Sequence, residues 1–301
     1  MVDFVHEALL YRDDAEFVAG TVPFVREGLD NGEPVLVAVP PQRAELLRPA
    51  LGPHAAEVEF VDITRVGRNP GRILPGVLTP FCDDARNARA DRVRVVEEQV
   101  WPGRSALEYP ACVQHEALVN TALTDRRAWL LCPYDATRLT AGQVRDAERT
   151  HPVVHREPNP DYGEPFAVAE EFNVPLPPPP PDAVVAVFDL GRLDRVRALV
   201  ADFAVGLAAD RVEDLVLAVN ELTTNSVLHA AGAGTVLLWR EGAVVVCEVR
   251  DEGGRTGPMV GRRRPDATSR GGFGVVLVHL VCDLVRVHTH AGGTAVRVHL
   301  G

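Results

Sequence analysis

Asn220-Glu221-Leu222-Thr223-Thr224-Asn225-Ser226-Val227-Leu228-His229 is the stretch that decides the fold of its half of the chain. Just upstream, Val212, Leu215, Val216, Val219 and Leu222 recur at helical spacing and predict a helix over 211–230. Residues four apart share a helix face, so Glu221 and Asn225 set a carboxylate beside a carboxamide. Glu221 lies two residues past Val219, about 200° around the helix. The pair therefore points away from the apolar stripe, to where a cleft could lie. A Glu-x-x-x-Asn pair also suits an ordinary solvated helix face, so its companions decide between the two readings.

Around this helix the chain predicts a strand at 184–190, a helix at 193–207, and a hairpin of 234–240 with 243–250 across Glu241-Gly242. A Gly- and Arg-rich loop spans 251–270, followed by an apolar helix at 274–282 and a last hairpin of 284–289 with 294–300. That order predicts an antiparallel or mixed sheet with helices on one face, an α+β layer.

Three companions follow the Glu221/Asn225 pair. Asp251-Glu252-Gly253-Gly254 ends a strand. A carboxylate there can accept the exocyclic amine of adenine while Gly253 lets a flat base approach the backbone, although a plain turn has the same letters. Arg270-Gly271-Gly272-Phe273-Gly274 opens a helix, where glycines expose N–H groups to phosphate and Arg270 adds a fixed positive charge. Gly293-Thr294 begins the last strand, with a hydroxyl placed to reach the base side of a cleft, or merely a β-branched strand residue.

Taken together and in this order, the four elements resemble the Bergerat-fold (GHKL) ATPases, and within them the anti-sigma-factor serine kinases, over residues 184–300. The resemblance implies a Bergerat-fold α/β sandwich that binds ATP and Mg²⁺. It implies that Asn225 holds Mg²⁺, that Glu221 acts as base or orienter for an attacking serine hydroxyl, and that Asp251 reads adenine. Gly253 would admit the base, and Thr294 would complete its pocket. Gly271, Gly272 and Gly274 would hold phosphates, with Arg270 near them or near the partner. His229, four residues after Asn225, would orient it or sit at the surface. Partners would be a sigma factor and an anti-anti-sigma antagonist protein, and a homodimer is among the allowed arrangements. The segment carrying Arg262-Arg263-Arg264 has few apolar anchors, which predicts a mobile lid.

The first half reads differently. Strands at 6–11, 34–39, 58–63, 93–97 and 128–134 alternate with helices at 13–30, 42–51, 73–84, 105–123 and 141–150. Such alternation predicts an α/β domain, a parallel sheet with helices on both faces. The whole chain is therefore α/β plus α+β. The proline run 175–181 reads as a polyproline spacer and 159–171 as loop, so the expected division is 1–158, a linker at 159–181, and 182–301.

Gly67-Arg68-Asn69-Pro70-Gly71-Arg72, Trp101-Pro102-Gly103-Arg104, His115-Glu116-Ala117-Leu118-Val119-Asn120, Leu130-Leu131-Cys132-Pro133-Tyr134-Asp135 and Thr150-His151-Pro152 resemble the methanogen/methylotroph sensory domain, MEDS, over residues 4–155. That resemblance implies a RecA-like sheet and a sensory role toward a small molecule. The lysine loop of RecA-like ATPases is missing, so no ATP turnover is expected there. Cys112, His115, Glu116, Cys132 and His151 are the candidate sensor residues. Cys112 and His115, three apart on a helix, could join Cys132 and His151 around a metal, and His115-Glu116 is similar to the phospho-accepting pair of histidine kinases. Buried, hydrogen-bonded core residues are the plainer alternative.

Composition narrows the classes. The 301 residues are 46% hydrophobic and 24% charged, enough to build real cores. Net charge is −11, which argues against direct nucleic-acid binding. All 31 basic residues are Arg, which rules out a Schiff-base lysine and a Walker A loop. Five scattered cysteines without a Cys-x-x-Cys fit reduced thiols in the cytoplasm. No signal peptide is read at the acidic start, and the apolar region 275–287 is too short and too polar for a bilayer. The expected function is a cytoplasmic signalling regulator: an ATP-dependent anti-sigma serine/threonine kinase under an N-terminal sensor, acting on transcription. A sensor histidine kinase and a non-catalytic, nucleotide-dependent sequestering module are the alternatives.

Overall fold

The computed structural model describes residues 4–84, 87–254, 256–263 and 272–301. The chain divides into two compact units, Met1–Phe172 and Asn173–Gly301.

In the first unit, strand β1 (Val5–Tyr11) leads into helix α1 (Asp14–Asp30), whose first turn is capped by the Asp13 carboxylate accepting from Glu16 N. A capping acid thus stands where a phosphate-binding loop would present glycines, and it satisfies the helix N-terminus with the chain's own negative charge. Gly32, at φ +71°, turns the chain beyond α1. Next come β2 (Val35–Val39), α2 (Pro41–Leu51), β3 (Glu59–Asp62) and α3 (Ile63–Val66). The helix expected at 73–84 is broken into α4 (Pro70–Ile73), a π-turn at Leu74–Leu78 and α5 (Thr79–Asp83). Pro75 and Pro80 lie inside this run and cannot supply N–H groups to a regular ladder. Then follow β4 (Val93–Glu97), α6 (Tyr109–Ala122), β5 (Ala128–Asp135) and α7 (Ala141–Thr150), the last opened by a Thr140–Gln143 capping box.

Among the described residues the sheet has seven strands in the order β3-β2-β4-β5-β1-β6-β7. The pairs through β6 are parallel, and only the terminal β6 (Val153–Val154) and β7 (Glu157–Pro158) are antiparallel. Alternate residues of β1 and β5 feed separate cores. Tyr11 and Leu131 pack with α1 and α2, while Ala8, Cys132 and Tyr134 pack with α6 and α7. Helices therefore cover both faces.

The segment 159–171, read as loop from its prolines and acids, contains helix α8 (Pro165–Glu171). Glu164 caps it, Pro165 takes the first position where an N–H is dispensable, and Val168 and Ala169 are buried. Its contact with α6 includes Gln114 Nε2 donating to Ala169 O.

The second unit begins with an extended strap, residues 173–181. Asn173 exchanges two hydrogen bonds with the Thr289 backbone, and Pro177 O accepts from Arg297. Then come β8 (Val184–Asp189), α9 (Leu193–Phe203), α10 (Ala209–His229), β9 (Ala233–Glu241), β10 (Val244–Asp251), α11 (Phe273–Val281), β11 (Leu284–His290) and β12 (Gly293–Leu300). The sheet is antiparallel throughout, in the order β11-β12-β10-β9-β8. One face carries Phe188, Val236, Leu238, Val245, Cys247, Val249 and Val298, packed against apolar residues of α9, α10 and α11. The opposite face is polar at its centre. Glu248, fully buried, accepts from Arg297 and Arg250 there, beneath the strap. Among the described residues no helix is long and apolar enough to cross a membrane.

Candidate functional site

Helix α10 buries Leu215, Ala218, Val219 and Leu222 in the core, leaving Glu221 and Asn225 half-buried on another side. The opening of α11 comes close against them. A Cβ on Gly274 would stand 2.4 Å from Glu221 Oε2 and 3.5 Å from Asn225 Nδ2, so any larger residue would push the end of Glu221 aside and fill the space beside the pair. Gly272 is the N-cap of α11 at φ +87°, in the left-handed region, and no side chain caps the turn. N–H groups at that end are therefore open to an anion, with the Glu221 carboxylate and the Asn225 carboxamide close by. Arg270 and Gly271 lie outside the described residues, as does Arg264. The nearby described part of the loop packs against α11. Arg262 is buried, and a Cβ on Gly261 would stand 2.4 Å from Val275 Cγ1 of α11. His229 is exposed in the last turn of α10, where its position suits the helix dipole.

Asp251 and Thr294 lie directly opposite one another on β10 and β12. Both oxygens of Asp251 are fixed: Ser226 Oγ donates to Oδ2 at 2.7 Å and Gly253 N to Oδ1 at 3.0 Å. A Cβ on Gly253 would lie 2.6 Å from Ala230 Cβ, and one on Gly293, at φ +143°, 2.0 Å from Asp251 O. Both glycines are therefore required by close approach. Thr294 Oγ1 is 3.2 Å from Thr289 Oγ1, which in turn accepts from Thr256 N. Ser226 and Thr289 were not among the sequence candidates. Ser226 follows Asn225 in the opening stretch, but a helical serine more often bonds back to its own helix, and Ser226 also does so to Leu222 O. Its link to Asp251 ties α10 to the sheet end, so the carboxylate that would read a base and the pair that would hold phosphate and metal share one framework. A separate cleft of about 690 Å³ is lined by Glu248, Arg250, His288, Pro175 and Leu176, and also by Asp251 and Thr294, but not by Glu221 or Asn225.

In the first unit the five sensor candidates separate into groups. Cys132, Glu116 and His151 converge, and they are joined by His6 of β1, which sequence reading missed; all four are buried. His6 Nε2 is 3.3 Å from Cys132 Sγ and 3.4 Å from Glu116 Oε2, and His151 Nε2 is 3.5 Å from Glu116 Oε2. Burial pushes His6 down to about 4 and His151 to about 3, and raises the Cys132 thiol well above its usual range. Cys112 and His115 are not in this cluster. Cys112 Sγ contacts Gln99 Nε2 and Glu108 O, and His115 Nε2 lies 3.1 Å from Glu97 Oε1. Their i, i+3 spacing puts them on one helix, but α6 is surrounded by core on most of its circumference, and its rotation sends them elsewhere. A fully buried His115 paired with Glu97 is not presented to a phosphate donor, which removes the phospho-acceptor reading.

Comparison with known proteins agrees with these two geometries. A search of curated proteins returns no match. Residues 5–152 match the MEDS model, the methanogen/methylotroph, DcmR sensory domain, and residues 187–300 match that of the histidine kinase-like ATPase domain. With a mostly parallel, doubly covered sheet in the first match and an antiparallel sheet under helices in the second, the chain carries a MEDS domain over 5–152 and a histidine kinase-like ATPase domain over 187–300.

Proposed function

We propose that this protein is a signalling regulator whose ATPase domain (182–301) binds Mg-ATP and acts on a sigma factor and its antagonist as an anti-sigma serine kinase. The MEDS domain (1–158) controls it in response to a small molecule. The observation that carries this reading is the meeting of α10 and α11: Gly274 against Glu221 and Asn225, beside an N-terminus without a side-chain cap. Bound Mg-ATP supplies the transferable phosphoryl group. Asn225 would hold the metal through its carboxamide oxygen. Glu221 would orient the partner's serine hydroxyl and take its proton as that oxygen bonds to the γ-phosphorus, the bridging P–O bond breaks and ADP leaves. Asp251, held by Ser226 and Gly253, accepts the adenine amine, with Thr294 beside it. Arg270 and Gly271 belong to the phosphate side by their sequence position.

The residues that precede the ATPase domain favour this branch over a sensor histidine kinase. Residues 173–181 form an extended strap rather than a helical hairpin that would present a histidine. Calorimetry of the full chain with Mg-ATP tests the reading, followed by partner capture with Mg-ATP and phosphosite mapping. Binding at micromolar or tighter affinity, lost in Asp251→Asn, is expected, and absence of binding overturns the reading. Glu221→Ala separates turnover from sequestration. Transfer to serine should vanish while nucleotide binding persists, whereas unchanged partner regulation in cells would identify a non-catalytic sequestering module.

A further inference from the structure

The buried quartet of the MEDS domain has a chemical requirement that the core alone does not meet. His6 Nδ1 is 3.1 Å from Asn120 Oδ1, and His151 Nδ1 is 2.7 Å from Ala147 O. Both neighbours are acceptors, so each imidazole carries its proton on Nδ1 and turns an unprotonated Nε2 inward. The two Nε2 lone pairs thus face Cys132 Sγ and Glu116 Oε2. His151 Nε2 has no hydrogen-bond partner, and the ring lies against His6 at 3.9 Å between centroids. Two imidazole lone pairs and the Glu116 carboxylate thus converge with the Cys132 thiol in a buried pocket, where one S–H is all that the four groups have to share and a cation would satisfy them together.

Three of the six donor separations already match the edge of a small ion's tetrahedron, and a small side-chain adjustment would draw in the others. The four donor atoms all lie within 4.8 Å of one another. Bonds of about 2.0–2.3 Å to nitrogen, oxygen and sulfur place the corners of a tetrahedron about 3.3–3.8 Å apart. The separations between His6 Nε2 and Cys132 Sγ, His6 Nε2 and Glu116 Oε2, and His151 Nε2 and Glu116 Oε2 are 3.3, 3.4 and 3.5 Å. Asn120 and Ala147 O stand as the outer hydrogen-bond partners that orient metal-binding imidazoles. Two neutral imidazoles, a thiolate and a carboxylate sum to the charge that one divalent ion cancels, so the loaded site is neutral.

We propose that His6, Glu116, Cys132 and His151 bind one divalent first-row transition-metal ion, of which zinc suits the mixed nitrogen, sulfur and oxygen set best. On binding, the ion displaces the Cys132 proton to solvent and joins β1, α6, β5 and the end of α7. The four protein ligands close the coordination shell, so the ion's role is structural, or it becomes responsive to signal if Glu116 yields its position.

The test uses the full chain purified without chelator. Elemental analysis is expected to find zinc near one ion per chain. After chelation, Co²⁺ should give the visible bands of tetrahedral cobalt and a near-ultraviolet thiolate charge-transfer band. Cys132→Ser should lose the charge-transfer band and Cys112→Ser should keep it. If Cys132→Ser does not fold, X-ray absorption of the zinc-loaded wild type reads the same contact, with one sulfur at about 2.3 Å and three lighter neighbours expected. No zinc in the purified chain together with no Co²⁺ uptake overturns the proposal. So does a thiolate band that survives in Cys132→Ser, or a metal shell without sulfur.

Discussion

Gly274 shows how one missing carbon makes a site. The atom that a Cβ would strike is the far end of the Glu221 side chain, which can swing aside. Gly274→Ala is therefore expected to fold with nearly unchanged stability while losing ~10-fold or more in Mg-ATP affinity, about 1.4 kcal/mol. Thermal melts and calorimetry on the same preparation check both halves. Ser226 is its counterpart on the base side. Ser226→Ala deprives the half-buried Asp251 carboxylate of its buried donor to Oδ2, and a cost of about 1–2 kcal/mol in denaturant unfolding is expected.

Glu98 is a residue whose environment sets a pH dependence. Burial raises its carboxyl from 4.5 to about 7, against the opposing effects of Tyr11 Oη donating to Oε1 and the nearby guanidiniums of Arg43 and Arg138; Asp135 adds to the rise. Between those values the folded state holds a proton that the unfolded state has released. This contribution to stability is therefore fully present below pH 4.5 and is lost as pH rises through about 7. Glu98→Gln keeps an acceptor for Tyr11 and removes the titration. The stability of the wild type relative to Glu98→Gln should fall as pH rises across that window, and urea midpoints measured at several pH values check it.

At the scale of elements, the buried ion pair between β10 and β12 fastens the strap. Arg297 Nε donates to Glu248 Oε2 at 2.6 Å, and its NH2 group donates to Pro177 O at 2.5 Å. Arg297→Ala would take one guanidinium from the buried Glu248 carboxylate. A loss of about 3–5 kcal/mol is expected, together with protease cleavage within 173–181 that the wild type resists. α8 illustrates a different element-level effect. Its seven residues would not hold a helix in isolation, and it forms because Glu164 caps it and Val168 and Ala169 find a surface on α6.

At the scale of the whole molecule, the two units meet in sequence at Phe172 and Asn173, although composition suggests a free spacer over 159–181. A fragment of residues 173–301 is accordingly expected to melt cooperatively and several degrees above one of residues 182–301, which lacks the Asn173 and Pro177 contacts. Calorimetric scans of the two fragments decide it.

Periodicity and punctuation alone determined most of the elements. The strand run 34–39, the helix capped by Asp13 or Asp14, and the stripe through Leu215, Val219 and Leu222 are local patterns whose period states which face is buried. The order of the Glu221/Asn225 pair, Asp251, the glycines before α11, and Thr294 likewise pointed to nucleotide chemistry, because each requirement is written in neighbouring residues. What only the tertiary structure decided lies between distant segments: the Ser226–Asp251 bond, the strap on Arg297, and the meeting of His6 with Glu116, Cys132 and His151. His6 and Cys132 come together because β1 and β5, far apart in sequence, are neighbours in a parallel sheet, while Cys112 and His115 are sent elsewhere by the rotation of α6. Helical spacing shows which residues share a face, but sheet order and helix rotation, set by packing across the whole domain, determine what that face meets.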